Sequence, residues 1–209
     1  MKRKFTVLAL MTSLVFILLS CSKEKNLLNN YQTETSGIFS QKITDAGLIQ
    51  EIQSKVGELK SGVKVNFDTE NIYRVGLSEN SPKVLMVYQQ GFDRINRSNL
   101  GLSIAPDENG YWGTPVIVKT ERISDHLRRI TYFNESFTLL ISIELDSKLK
   151  KMKTLYKKPV LKTTGQNMSD CIESTYINQG WGSIWSHVQT AFTPETAIAI
   201  SATCMGSDH

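Results

Sequence analysis

From Val63 to Tyr156 the apolar residues recur with a period of two, and no helix-length pattern interrupts them. The candidate strands are 63–67 "VKVNF", 71–77 "NIYRVGL", 83–89 "KVLMVYQ", 99–105 "NLGLSIA", 115–123 "PVIVKTERI", 128–133 "RRITYF" and 137–145 "FTLLISIEL". A further segment, 149–156 "LKKMKTLY", reads as an edge strand, because its lysines alternate with apolar residues. "SENSP", "DENG" and "FNES" supply turn residues between them. Parallel strands would need long crossover connections, usually helical, and none fits between these segments. The pattern therefore predicts an antiparallel body of seven or eight short strands: a sheet, a sandwich or an incomplete barrel.

Helical periodicity flanks this body. Before it, Leu48, Ile49, Ile52, Val56 and Leu59 fall on one face, with Thr44 as the expected N-cap, Ile43 as a staple against Leu48, and Gly62 as the stop. After it the composition changes abruptly. Residues 146–165 hold seven lysines and one aspartate, whereas 165–209 hold no Lys or Arg and four acids, Asp170, Glu173, Glu195 and Asp208. Such an asymmetry predicts two regions in different surroundings, or one docked on the other. Within the tail the pattern predicts a helix from Asp170 to about Asn178, a break at the "GWG" of 180–182, and a second helix carrying Ile184, Trp185, Val188 and Phe192. A third is predicted with Thr193 as cap, Pro194 at its first position and Glu195 in its first turn. The fold class expected is α+β: an N-terminal amphipathic helix, a sheet or sandwich-like body, and a helical C-terminal subdomain closed by a disulfide.

The N-terminus carries an address. Lys2, Arg3 and Lys4 precede an almost wholly apolar run, Phe5 to Leu19, which matches a secretory signal and is short of the roughly 20 residues of a membrane span. It ends Leu18-Leu19-Ser20-Cys21, which resembles the lipobox of bacterial lipoproteins. The resemblance covers residues 1–21 alone. It implies that Cys21 receives a diacylglycerol thioether, that residues 1–20 are removed, and that the mature chain is membrane-anchored in a bacterial envelope. Ser22 in place of Asp, by analogy with lipoprotein sorting, favours the outer membrane; the periplasmic and surface faces both stay open. The domain boundaries expected are 1–20 signal peptide, 21–42 lipidated Cys and polar tether, 43–158 helix plus β-rich body, and 159–209 stapled helical tail. With Cys21 set aside, Cys171 and Cys204 form an even pair in an oxidising compartment. Free thiols, or a catalytic cysteine, are the alternatives to a disulfide between them.

Catalytic signatures are missing from the sequence. It contains no H-E-x-x-H, G-x-S-x-G, G-x-x-x-x-G-K-[ST] or G-x-G-x-x-G. His126, His187 and His209 have no metal-ligand spacing, so neither a metal nor another cofactor is expected. A Cys171–His187 couple could be drawn, but oxidation of Cys171 would remove it. Trp112, Trp181 and Trp185 are the candidate ligand contacts, since aromatic faces stack on sugars and apolar groups; core packing is the commoner use of such residues. The lysine run 148–162 could attract anionic lipid or glycans. Nucleic acid is not an expected partner. The reading is a non-enzymatic binding or interaction lipoprotein with an unknown protein or glycan ligand. The alternatives are a precursor whose tail is released as a membrane-active or signalling peptide, and an envelope hydrolase using carboxylates that spacing cannot pick out.

Overall fold

A computed structural model describes residues 38–59, 65–92, 98–105, 113, 115–159, 168–178 and 194–205. These all fall within Gly37–His209, one of two units of the chain; the other is Met1–Ser36. Among the described residues there are eight strands, β1 (Phe39–Lys42), β2 (Phe67–Gly76), β3 (Lys83–Gln89), β4 (Ser98–Ile104), β5 (Val116–Arg122), β6 (Leu127–Phe133), β7 (Leu139–Asp146) and β8 (Lys151–Lys157), and three helices, α1 (Ala46–Gly57), α2 (Met168–Asn178) and α3 (Pro194–Ala202). The strands form one antiparallel sheet in the order β1-β2-β3-β4-β5-β6-β7-β8, so each pairs with its neighbour in sequence. The second layer is helical on both sides, which is why a single sheet is found where a sandwich was equally compatible with the pattern.

Apolar side chains line both faces of the sheet. One row, Ile72, Val87, Leu102, Ile117, Phe133 and Leu139, crosses six strands as register partners. Its buried members belong to the layer that holds Ile43 and Ile52, against which Leu48, Ile49 and Val56 of α1 also pack. The opposite face carries Val75, Met86, Val118, Tyr132, Ile141 and Ile143, and these pack with Ile172 and Tyr176 of α2 and Ala197, Ile198 and Ile200 of α3. Strands covered on both faces lose their polar side, and β3 accordingly has five consecutive buried residues, Val84 to Tyr88.

Three expectations need correction. The helix cap is Asp45, not Thr44: the Asp45 carboxylate accepts the Leu48 backbone N–H at 2.8 Å, and α1 ends at Gly57, before Gly62. The break expected between the segments 63–67 and 71–77 is absent, because β2 runs unbroken from Phe67 through the polar "DTE" at 68–70 and absorbs it as a register shift between Phe67 and Ile72; residues 63–64 lie outside the described residues. Finally, residues 39–42, placed in the tether, form β1, whose backbone adds to β2 at the sheet edge although its side chains are mostly exposed. Strand β8 is the edge strand expected, pairing among the described strands with β7 alone.

Helix α3 sits deepest. All nine of its residues are buried, and it touches β2, β3, β4 and β5. Its approach to the sheet requires a missing side chain: a Cβ on Gly101 would lie 2.6 Å from Ile198 Cδ1 and 3.8 Å from the Pro194 Cβ. Ile198 is fully buried and has nowhere to move. Gly101→Val should therefore destabilise the fold by about 1–3 kcal/mol through overpacking. Urea unfolding measures this, and an unchanged midpoint would refute the fit of α3 against β4.

Candidate functional site

Besides a buried bond from Ser201 Oγ of α3 to Ser103 Oγ of β4 at 3.0 Å, two polar constellations tie the tail to the sheet, and an exposed surface lies beside them. The first is buried. The Tyr132 hydroxyl on β6 donates to the Ala197 carbonyl of α3 at 2.9 Å, and lies 2.9 Å from the Tyr176 hydroxyl of α2. Each phenol has one proton, so Tyr176 must donate to Tyr132. Burial, together with the neighbouring Tyr176, pushes the Tyr132 phenol well above its ordinary pKa, and burial likewise raises that of Tyr176. Neither is poised to ionise; they act as a hydrogen-bonded strut joining strand, helix and helix.

The strut makes an asymmetric prediction. Tyr132→Phe strands the Tyr176 hydroxyl, which costs about 1–3 kcal/mol for a buried unsatisfied group, and takes from the Ala197 carbonyl a bond beyond the one it accepts within α3. Tyr176→Phe leaves the Tyr132–Ala197 bond intact and should cost only about 0.5–1.5 kcal/mol. Denaturant titration of both variants orders them, and the reverse ranking would show the proton assignment to be wrong.

The second constellation joins α2 to the edge strand. Lys157 Nζ lies 2.5 Å from Asp170 Oδ1 and 2.5 Å from Glu173 Oε2, while the Thr154 hydroxyl donates to Glu173 Oε1 at 2.6 Å. The hydrogen bonds to Asp170 and then Glu173 raise the Lys157 pKa, and those from Lys157 and Thr154 lower that of Glu173. Two of the four tail acids thus meet the last strand of the body, and this is the electrostatic docking that the charge asymmetry allowed for. Ser169 Oγ adds a bond to the Leu140 carbonyl at 3.2 Å.

Within the tail, Cys171 of α2 and Cys204 just beyond α3 form a disulfide, with Cα atoms 5.6 Å apart. Cys171 is therefore not available as a thiolate nucleophile in this state. Its imagined partner His187 lies outside the described residues, as do Cys21, the "GWG" break, the middle tail helix and the candidate contacts Trp112, Trp181 and Trp185. Among the described residues no group of three or more His, Cys, Asp or Glu side chains is placed to hold a metal ion.

The exposed surface beside them is the β8 edge. Lys148, Leu149 and Lys150 form the turn from β7, and Lys151, Lys153, Leu155, Tyr156 and Lys158 follow, all exposed. Leu149 is 60% exposed, Leu155 39% and Tyr156 41%; Ile177, one helical turn beyond Glu173 on α2, is 58% exposed. Four of the five large apolar residues that the described surface exposes therefore lie on β8, its turn or the helix packed beside it. The carboxylates around them are engaged. Glu144, the register partner of Lys153, takes Arg129 at 2.6 Å, and Asp146 accepts the Lys148 and Leu149 backbone N–H groups at 2.9 Å. The pairing register also aligns Glu121, Arg129, Glu144 and Lys153 across four strands in alternating charge, which spacing along the chain could not reveal.

Comparison with known proteins adds no relative: no family model, no curated protein and no solved structure matches this chain.

Proposed function

We propose that the chain is a lipid-anchored envelope protein, held through a diacylglycerol on Cys21, whose α+β body is a non-enzymatic binding or interaction module. The observation that carries this reading is the Cys171–Cys204 disulfide. It pairs two of the three cysteines with each other and leaves Cys21, at the end of an apolar run with a positive start, as the odd one. Disulfides persist in oxidising compartments, which agrees with export. Two acyl chains supply the stable anchoring that one alone does not.

The binding role rests on the β8 edge, where cationic and apolar side chains share an exposed strip beside engaged carboxylates. Burial of α3 in the sheet's core argues for a body that works in one piece, against the release of a free C-terminal peptide. The intact mass of protein extracted from its native membrane, before and after reduction and alkylation, tests the anchor and the staple together. A mass of residues 21–209 plus a lipid adduct, with two thiols appearing only on reduction, is expected. An unmodified Cys21, or a species ending within 148–165, would overturn the reading.

A further inference from the structure

We propose that the β8 edge and the turn before it are a second, non-covalent membrane contact, which binds anionic phospholipid headgroups while Leu149, Leu155 and Tyr156 enter the interfacial layer. The charge fits such a surface. Lys148, Lys150, Lys151, Lys153 and Lys158 are exposed, against the single carboxylate Asp146 in the same run. Lys157 is set apart from these, since Asp170 and Glu173 hold it. Each lysine close to an anionic bilayer is attracted independently, and the apolar tips add the burial that an aqueous anion could not offer. Leu149 is the most exposed of the large apolar side chains among the described residues and stands at a turn tip between lysines. Tyr156, amphipathic and half exposed, suits the headgroup level.

An acidic peptide laid along the edge would meet the same lysines. Leu149, however, stands in the turn ahead of the strand, and Ile177 belongs to a helix. Both lie off the backbone ladder that an added strand would use, whereas a flat lipid surface has no such constraint.

The number of residues between Cys21 and β1 is enough for this contact. β1 and β8 are opposite edges of the sheet, separated by seven strand spacings, or about 34 Å at 4.8 Å each. Residues 22–38 can reach at most about 60 Å when extended. An anchor at Cys21 therefore lets the far edge meet the surface on which the chain is tethered. Only this placement rests on the anchor reading; the lipid contact itself does not.

Residues 37–209 carry both apolar layers of the sheet, and so this piece, without Cys21, is suited to the test. Its co-sedimentation is compared on phosphatidylcholine vesicles with and without phosphatidylglycerol. Binding is expected only where the anionic lipid is present, and should weaken as salt is raised. Lys151→Gln with Lys153→Gln should weaken it by about 30-fold, from roughly fivefold per lysine. Leu149→Asn should weaken it by about tenfold with the charge unchanged. All three residues are exposed, so unaltered circular dichroism is expected of the variants. Equal binding to both kinds of vesicle, no binding to either, or indifference to both variants would overturn the proposal. Capture of polyglutamate without capture of anionic vesicles would also overturn it, in favour of an acidic polypeptide. Failure here leaves the anchor untouched, because the mass measurement on Cys21 is independent of it.

Discussion

Truncation of the chain before Pro194 is expected to abolish cooperative folding, not merely to remove an accessory piece. Ile198 and Ile200 are both fully buried on the sheet, and losing each forfeits about 1.5–3 kcal/mol of burial. The disulfide goes with them, worth about 3–4 kcal/mol for a loop of this length. The Tyr132 strut loses the Ala197 carbonyl, and the sheet face over β2 to β5 loses its cover. Together these rival the whole stability of an ordinary domain, about 5–15 kcal/mol. Residues 37–193 should therefore lack both a near-ultraviolet signature and a sharp urea transition, while 37–209 shows both. A cooperatively folded 37–193 would refute the role given to α3. A gentler version separates packing from covalent linkage. With a protease site inserted between Thr163 and Thr164, the cut tail should stay bound until denaturant is added, although Cys171 and Cys204 both lie on its own side.

Much of the sheet is legible in the sequence, and its failures have identifiable causes. The segment 83–89 coincides with β3, and the others near β4 to β7 shift by one or two residues, because burial on both faces leaves long apolar runs between polar turns. β1 hides because "FSQK" contributes backbone hydrogen bonds and little burial, and period-two reasoning sees only side chains. Thr44 and Asp45 are both good caps, and pattern cannot choose between neighbours; a carboxylate reaching the Leu48 N–H chose. The deep burial of α3 did have a signal. "TAIAISA" has no polar face, and a helix apolar all round belongs in a core. The absence of Lys and Arg beyond 165 is compatible with docking and with separate surroundings alike, and the Lys157 bridges to Asp170 and Glu173 decide for docking. The Tyr132–Tyr176–Ala197 strut had no such signal, since its members are 44 and 65 positions from Tyr132 and only the topology joins them.

The replacement Cys171→Ala with Cys204→Ala should lower the free energy of unfolding by about 3–4 kcal/mol. At this chain length that is a fall of about 10 °C in Tm. The sequence separation is 33, so the cross-link forbids a long loop to the unfolded chain, and most of the effect resides in that state. In the native state the two thiols leave little behind. Cys204 is fully buried beside α2, and α2 keeps its Lys157 bridges to β8 and its bond to Leu140 without the disulfide. The variant should accordingly keep the sheet's circular dichroism at low temperature while its urea midpoint falls, with an m-value raised because the unfolded chain, no longer cross-linked, exposes more surface. Reduction of the wild-type chain should reproduce the fall, whereas the variant should be indifferent to reductant. If the double variant unfolded at the wild-type midpoint, packing of α2 and α3 on the sheet would be holding the tail unaided. If instead it lost its native spectrum outright, the staple would be needed to form the core and not only to stabilise it. An intermediate loss, shared by reduction and substitution, is the outcome that the geometry requires.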